Sequence, residues 1–548
     1  MTFFLHSQLP EKIGLTETLA SIPLETEYGR LAKEALTPYE TGDTDSLEEA
    51  WRETGVFLKA HQEHPGIMKE VRHLLHGLHN IRKSIISAGA GEVLTDVELF
   101  DIKKQAFAMD RIRKTLHRNR SLLVPAVALK DVTWLIQLLD PENTGIETFY
   151  LYDVYDVELE KIRREKRSVE EERMRTKKMK ERDMHESTGL HPLWNGEVLV
   201  SKTEIEQKDT MDDLGTYEQV GETAAEWIYR QRRQGNDETM ESLLLQEERR
   251  EHLVREKLSL EIGKHSTELM ENTAALAHLD LLVGKTMLAV RHRACKPQLS
   301  QQREIAVCEG RHPVLEETLR KNRRQMIPVD LTIQQGATVI TGANMGGKTM
   351  ALKMTALLTA LAQMGFWVPA LSFRFQPVKW LYFSSGDEQS LALGLSTFGA
   401  EIHGLNKVLD LTDETGLILL DELASGTNPR EGACISQAIV SYLSSSQAIS
   451  AITTHYDGVG DLPGVSHLQV VGLNRQTLLT LQQKIRDYGW SPGLFEEAMD
   501  YRLEPREPGV PVPKDAIAVA EMMGLKSLIL EKAREKMEAF EEGQSSNR

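Results

Sequence analysis

Residues 338–349 have the sequence TVITGANMGGKT, a short apolar run followed by a glycine-rich loop that ends in Lys348 and Thr349. The loop matches the pattern G-x-x-x-x-G-K-[ST], with a predicted strand before it and a helix-forming run after it. Glycines let the backbone turn tightly, so that N–H groups surround phosphate oxygens at a helix N-terminus. We therefore predict a phosphate-binding loop made by Gly342, Ala343, Asn344, Met345, Gly346, Gly347, Lys348 and Thr349.

The side chains of this loop have distinct predicted roles. Lys348 is expected to neutralise charge on the β- and γ-phosphates, and Thr349 to ligate Mg²⁺. A second element, LILLDE at residues 417–422, is an apolar strand that ends in two carboxylates. Asp421 is predicted to bind Mg²⁺, and Glu422 to orient or deprotonate an attacking water.

His455 follows the apolar run AIT at the end of another predicted strand. This position predicts a contact with the γ-phosphate region or with its water. Together these residues predict an ATPase that uses ATP and Mg²⁺, with Lys348, Glu422 and His455 as its catalytic residues.

From about residue 305 the chain alternates between short apolar strands and helical runs, which is typical of a largely parallel sheet covered by helices. Residues 350–371 are long and apolar enough to suggest a membrane span. They carry Lys353 and Gln363 and follow the phosphate loop, so we interpret them as a buried helix.

The part of the chain before residue 305 is predicted to be mainly helical, since apolar residues recur at helical spacing from about 10 to 135. Residues 158–184 mix 11 Lys/Arg with 8 Asp/Glu, which fits a long solvated helix with i,i+4 ion pairs or a nucleic-acid-contacting arm. A small β-containing insert is predicted at 189–234, and a second long helical run from about 238 to 287. Residues 148–157 form either a strand or the approach to the next helix.

Composition restricts the class of protein. The 548 residues carry a formal net charge of −17, 41% are hydrophobic, and only three are cysteines. The length predicts several domains, and the sparse cysteines argue against a disulfide scaffold or a zinc ribbon. We expect a cytoplasmic protein without a signal peptide or a membrane partner. Its acidity disfavours broad attraction to nucleic acid.

A set of motifs, in this order and spacing, resembles the MutS family of ATPases. They are EGRHPVLE (309–316), TGANMGGKT (341–349), AQMGFWVPA (362–370), STFGAEI (396–402), DELASGTNPREG (421–432) and TTHY (453–456). The helical region with TEYGR (26–30) is similar to the core and lever domains of that family. MDYRL (499–503) and residues 516–533 are similar to its C-terminal helical dimerisation segment.

The resemblance implies a multidomain fold with an all-α core, lever helices and a C-terminal α/β ATPase with a mainly parallel sheet. The implied bounds are 1–156 for the core, 157–290 for levers with an insert, 291–495 for the ATPase, 496–540 for a helical dimerisation segment and 541–548 for a disordered tail. It also implies a homodimer with composite ATP sites, in which Ser396 and Thr397 lie on a loop offered to the neighbour's nucleotide.

The chain departs from the family pattern at several places. No mismatch-reading domain fits before the core helices, which begin near residue 10, and no nuclease domain is expected after 540. Ala424-Ser425 stand where a glycine-arginine pair is usual, and GTNPREG is closer to the endonuclease-tailed branch. Val329 stands where an asparagine is common, which puts adenine contacts in doubt.

Two functions compete. The first is a clamp-like dimer that encloses branched or distorted DNA and is switched by ATP. The alternative is a reactivase ATPase acting on a cobalamin-dependent lysine or ornithine aminomutase, because segments 94–104, 139–153 and 512–525 look like that subgroup. A scaffold with a dead site is disfavoured, since Lys348, Thr349, Asp421 and Glu422 are all present.

Overall fold

The structure is a computed structural model that describes most of the chain. The described residues are 3–5, 7–119, 122, 124–232, 236–342, 347–385, 397–472, 500–506, 517, 520, 521 and 524–545.

The N-terminal part is helical, as predicted, and contains eight α-helices among its described residues. They are α1 (Leu9–Lys12), α2 (Leu15–Ala20), α3 (Glu27–Glu34), α4 (Thr44–Glu63), α5 (Pro65–Leu75), α6 (Arg82–Gly89), α7 (Asp96–Arg118) and α8 (Thr133–Leu139).

Two long helical stretches bracket a small β-containing insert, again as predicted. The elements are α9 (Val157–Thr188), β1 (Glu197–Ser201), α10 (Ile205–Asp213), β2 (Tyr217–Glu222), β3 (Glu226–Gln231), α11 (Asn236–Lys264) and α12 (Ser266–Arg291). The second stretch is broken at His265, where the imidazole stacks on Trp134 at 4.0 Å between ring centroids.

The remainder alternates between strands and helices. Its elements are β4 (Gln298–Leu299), β5 (Glu304–Gly310), α13 (Pro313–Lys321), β6 (Val329–Gln334), β7 (Gly336–Thr341), α14 (Lys348–Gln363), β8 (Ser372–Phe375), β9 (Leu381–Ser385), α15 (Thr397–Leu409), β10 (Leu417–Asp421), α16 (Pro429–Ser444), β11 (Ile449–Thr453), β12 (Ser466–Gly472), β13 (Asp500–Pro505) and α17 (Ser527–Ser545).

A six-stranded, mainly parallel sheet forms the centre of this part, with the order β13-β12-β7-β11-β10-β9. Only the β12–β13 pair is antiparallel among the pairs described in this sheet. Every residue of β7, β10 and β11 is buried, which explains why these strands are mainly apolar and do not alternate between apolar and polar residues. A second sheet has the order β4-β8-β5-β6.

Helix α14 is the buried helix predicted after the phosphate loop. Thirteen of its sixteen residues are buried, and its apolar side chains belong to the large core cluster with the sheet. One described helix, α12, is long and apolar enough to span a membrane by length and composition. Its most apolar window is 72% buried, so this is weak evidence for a span.

The TEYGR segment is explained by a buried carboxylate. Asp280 accepts hydrogen bonds from the Thr26 N–H at 2.8 Å, the Thr26 hydroxyl at 2.7 Å and the Glu25 N–H at 3.1 Å. A side chain at Gly29 would put its Cβ 2.3 Å from Asp280 Oδ2, so glycine is required for this close approach.

Helix α9 has the ion pairs expected of a solvated helix. Arg164 binds Glu160 at 2.6 Å and Arg182 binds Glu186 at 2.7 Å, each one turn apart. The insert folds as a three-stranded antiparallel sheet, β1-β3-β2, over its own apolar cluster of Met184, Val198, Val200, Met211, Tyr217 and Tyr229.

Two compact units are defined by the contacts within the chain. One contains residues 1–76, 116–127 and 276–548, and the other contains 77–115 and 128–275. The domain bounds inferred from the resemblance stay predictions.

Two predicted details differ from the structure, and one open alternative is decided by it. Residues 500–505, expected in a helical segment, form strand β13, because their backbone pairs with β12 at the edge of the six-stranded sheet. Helix α17 runs to Ser545, so the tail expected from 541 is helical at its start; it is rich in helix-forming Glu, Lys and Ala. Residues 148–157 contain a short 3₁₀ turn that leads into α9, so of the two alternatives the approach to the next helix is the one found.

Candidate nucleotide site

Three buried strands end at the same edge of the six-stranded sheet. Strands β7, β11 and β10 are parallel neighbours, with Ile340 paired to Thr453 and Leu420 paired to Ile452. Their carboxyl ends therefore bring Thr341, Asp421 and Thr453 together, although these residues are far apart in the chain. Helix α14 begins beyond the same edge. Ligands of open α/β sheets bind outside the carboxyl ends of the strands.

Both described ends of the glycine loop need glycine. Gly342 has φ of 127° and Gly347 has φ of 75°, which lie in the left-handed region. A Cβ at Gly342 would also lie 2.9 Å from the Cβ of Val470. Predicted residues Ala343, Asn344, Met345 and Gly346 lie outside the described residues.

Lys348 is the first residue of α14 and is buried. Its Nζ donates a hydrogen bond to the carbonyl of Gly342 at 2.6 Å, so the side chain closes back over the loop. Burial lowers the pKa of Lys348 to about 8, against the opposing effect of the Glu422 and Asp421 carboxylates. An anionic ligand here would favour the charged form of the lysine and raise this pKa again.

One hydroxyl connects the two carboxylate residues at the end of β10. Thr453, which is fully buried, donates through Oγ1 to Asp421 Oδ1 at 2.7 Å. The same oxygen accepts a hydrogen bond from the backbone N–H of Glu422 at 2.8 Å. Thr453 thus orients the Asp421 side chain and the Glu422 backbone together.

The chain turns sharply directly after β10. Glu422 has φ of 54° and Ala424 has φ of 59°, a conformation that costs non-glycine residues on the order of 1–3 kcal/mol and is typical of functional sites. Buried Glu401 accepts from the Ala424 N–H at 3.3 Å, and the Tyr456 hydroxyl donates to the Ala424 carbonyl at 2.8 Å. These contacts keep the turn in its strained conformation.

His455 lies two residues beyond the end of β11 and contacts Glu422. The distance between His455 Nε2 and Glu422 Oε1 is 3.1 Å, and both side chains are 38% exposed. A proton on Nε2 would hold one carboxylate oxygen and leave the other for a ligand or a water.

The other predicted residues are placed only in part. Thr349 lies half-buried in the first turn of α14. Thr397 is the first residue of α15, but its side chain is not among those that the structure describes. Ser396 lies outside the described residues.

The oxygen ligands at this edge fit Mg²⁺. The described residues contain no group of three or more His, Cys, Asp and Glu that could hold a metal by itself. Mg²⁺ is usually bound by one or two carboxylates together with substrate phosphates, not by an all-protein cage. The Asp421 carboxylate and the Thr349 hydroxyl are ligands of this kind.

A cavity of about 620 Å³ adjoins the start of α14. Its lining includes Gly347 and Lys348, apolar side chains of Met326, Ile327 and Val329, and the ring of Tyr501. The volume and the apolar lining suit the base and sugar of a nucleotide.

Sequence reasoning missed Thr453, Glu401 and Tyr456 as parts of the site. Each belongs to a motif that carries the family resemblance, so a signal was present in TTHY and STFGAEI. The motifs do not show which atoms form hydrogen bonds, because the bonded residues belong to different helices and strands of the chain.

Residues 338–541 match a family model described as MutS domain V. An endonuclease MutS2 from Lactobacillus gasseri is 32% identical over 300 residues, 54% of this chain and 35% of that protein. One from Lachnoclostridium phytofermentans is 30% identical over 320 residues, 56% of this chain and 36% of that protein. One from Shouchella clausii is 26% identical over 484 residues, 84% of this chain and 57% of that protein. The matched segments thus span between about a third and just over half of these relatives.

Proposed function

Because this chain belongs to the MutS family, we propose that it is a dimeric ATPase that hydrolyses ATP to switch a clamp-like dimer. The observation that carries the proposal is the meeting of Lys348, Asp421, Glu422 and His455 at one edge of the sheet.

The phosphates bind at the start of α14 in this proposal. Backbone N–H groups of residues 342–347 surround them, and Lys348 exchanges its bond to the Gly342 carbonyl for a bond to phosphate. The helix N-terminus adds a favourable field for the negative charge.

Asp421 and Thr349 would hold the metal. Mg²⁺ bound there would neutralise charge on the β- and γ-phosphates. The Thr453 hydroxyl donates to Asp421 Oδ1 at 2.7 Å, which would keep this carboxylate in place to ligate the metal directly or through water.

Glu422 acts on the attacking water. Its carboxylate accepts the water proton, and His455 Nε2 holds Oε1 so that Oε2 points to the water. The strained turn at Glu422 matters here, since an extended backbone would direct Asp421 and Glu422 to opposite faces.

The adenosine part of ATP occupies the cavity lined by Met326, Ile327, Val329 and Tyr501. The side chains that line this cavity would contact adenine in place of the asparagine that is common in the family at the position of Val329. Tyr501→Ala should then weaken ATP binding much more than binding of inorganic triphosphate.

The proposed protein is a homodimer in which different parts of the chain contact the neighbouring subunit and DNA. Ser396 and Thr397 reach the nucleotide of the neighbouring subunit, and residues within 496–540 contribute to dimerisation. The levers within 157–290 hold branched or distorted DNA. A cytoplasmic location agrees with the three unpaired cysteines Cys295, Cys308 and Cys434.

The aminomutase reactivase stays a prediction from the sequence. The three relatives described above carry the name of an endonuclease, and none is named for an aminomutase. We therefore do not propose it as the function.

Two substitutions test the site. Lys348→Ala should abolish both tight ATP binding and turnover, whereas Glu422→Ala should abolish turnover and retain ATP binding, because it removes only the water-directed carboxylate. Phosphate release and a fluorescent ATP analogue measure the two steps. Normal hydrolysis in either folded variant would refute the site.

The DNA part is tested separately. A four-way junction should stimulate ATPase activity, and its affinity should fall steeply with salt if phosphate contacts carry the binding. A chain that hydrolyses ATP but binds no junction at low salt would refute the DNA ligand while leaving the ATP site intact.

A further inference from the structure

Helix α11 carries apolar residues on two opposite faces. The inner face packs against α9 and α6, and its buried residues include Leu243, Val254, Leu258 and Ile262. The outer face has three leucines that lie in solvent: Leu245 is 53% exposed, Leu253 41% and Leu260 58%. A helix that packs on one side needs a single apolar face, so packing within the chain does not explain the outer leucines.

The outer leucines lie on one continuous strip of the helix surface. Successive residues of an α-helix are rotated by about 100°, so the three leucines lie within about 80° of one another. At a rise of 1.5 Å per residue they extend over about 22 Å of helix length. Arg249 and Glu256 are exposed within the same 80° sector. We call Leu245, Arg249, Leu253, Glu256 and Leu260 the α11 stripe.

The charged members of the α11 stripe are available to another molecule. Arg249 and Glu256 have no ion-pair partner in the part of the chain that the structure describes. They are not neighbours on the helix either, since about 10 Å of helix length separates them. The acids on the inner side of α11 differ in this respect, because Glu247 and Glu251 bind Arg163 of α9 at 3.1 and 2.8 Å.

The order of residues along the α11 stripe is self-complementary. Leu245 and Leu260 lie at equal distances from the midpoint of the stripe, and Arg249 and Glu256 lie at equal distances from the same midpoint. If two copies of the helix pack antiparallel about a two-fold axis at this midpoint, leucine faces leucine and arginine faces glutamate. Leu253 then lies beside the Leu253 of the second copy. A parallel pair would instead place like charges together.

We propose that the α11 stripe binds the α11 stripe of a second copy of this chain, with the two helices antiparallel. The leucines of both copies leave solvent together, and each Arg249 pairs with the Glu256 of the other copy. This symmetry identifies a second copy as the partner, since an unrelated protein would not require it. The stripe shares no residue with the nucleotide site. It depends neither on the proposed ATPase activity nor on the proposed dimerisation through residues 496–540.

Disulfide cross-linking of the full chain tests the proximity of the two stripes. The background is Cys434→Ser, because Cys434 is the exposed member of the three cysteines. In the Leu253→Cys variant, two thiols should meet across the two-fold axis and form a covalent dimer when an oxidant is added. Leu244→Cys is the matched control, since Leu244 is 50% exposed on the same helix but is turned away from the stripe. It should give no more covalent dimer than the background.

Charge reversal tests the pairing of the two stripes. Arg249→Glu and Glu256→Arg, each combined with Leu253→Cys, should lower the yield of covalent dimer at least about fivefold, because like charges then face each other twice. The two reversals together restore opposite charges and should recover the yield. Thermal unfolding checks the fold of every variant. Absence of a covalent dimer in Leu253→Cys, an equal yield in Leu244→Cys, or no recovery in the double reversal would each overturn the proposal.

Discussion

Replacing Thr453 with valine removes one buried hydroxyl from the candidate site and almost nothing else. Valine has the same shape and β-branching, so strand β11 and its core contacts should persist. The lost atom donates to Asp421 Oδ1 at 2.7 Å and accepts from the Glu422 N–H at 2.8 Å. The substitution thus releases the proposed metal ligand and the proposed water-directing residue at the same time.

The size of the effect follows from these two bonds. A hydrogen bond to a charged group contributes about 1.5–3 kcal/mol and a neutral one about 0.5–1.5 kcal/mol, so about 2–4 kcal/mol is lost. If this loss affects the transition state and not the bound substrate, kcat falls by about 30-fold to 1000-fold. KM for ATP should change much less, because Lys348 and the glycine loop are untouched.

Steady-state phosphate release against ATP and Mg²⁺ concentration measures this split. Thr453→Ser keeps the hydroxyl and loses only a methyl group, so it should retain most of the parent kcat. A folded Thr453→Val protein with kcat within about twofold of the parent would refute the positioning role, as that leaves less than about 0.5 kcal/mol for both bonds. Equal losses in the serine and valine variants would assign the effect to packing instead.

Three further predictions concern pH and stability. Burial lowers the pKa of Lys348 to about 8, and phosphate favours the charged form of this lysine. ATP affinity should therefore be constant below about pH 8 and fall about tenfold per pH unit above it. Affinity for the fluorescent ATP analogue that stays constant from about pH 6.5 to 9.5 would contradict this prediction. Gly29→Ala should lower the free energy of unfolding by about 1–3 kcal/mol, since its Cβ would lie 2.3 Å from a buried carboxylate oxygen of α12, whereas Gly42→Ala, with open space around it, should not. Lys103→Met should lower the free energy of unfolding by about 3–5 kcal/mol, because it removes the buried cation that lies 3.2 Å from the buried Asp140 carboxylate. Asp140→Asn should recover part of this loss, and denaturant unfolding of the single and double variants provides the check.

Much of the ATPase part was predictable from residues close together in the chain. Strand β7, helix α14 and strand β10 follow from local apolar runs and from the glycines of the loop. Strand β13 was not predictable in this way, since its backbone pairs with β12, which is not adjacent to it in the chain. The role of Asp280 in the TEYGR segment was equally hidden, because the carboxylate lies far along the chain from Thr26, on α12.

The sequence by itself determined which chemical groups the site contains: a lysine after a glycine loop, two carboxylates at a strand end and a histidine after another strand. Short-range spacing carries that information, because a loop that wraps phosphate and a strand that ends in carboxylates are local structures. Only the tertiary structure decided that Thr453 joins Asp421 to Glu422, that burial lowers the pKa of Lys348 to about 8, and that the buried Lys103 holds Asp140 and Tyr152 together. These properties depend on strand order, burial and contacts between distant residues, which the order of residues along the chain does not display.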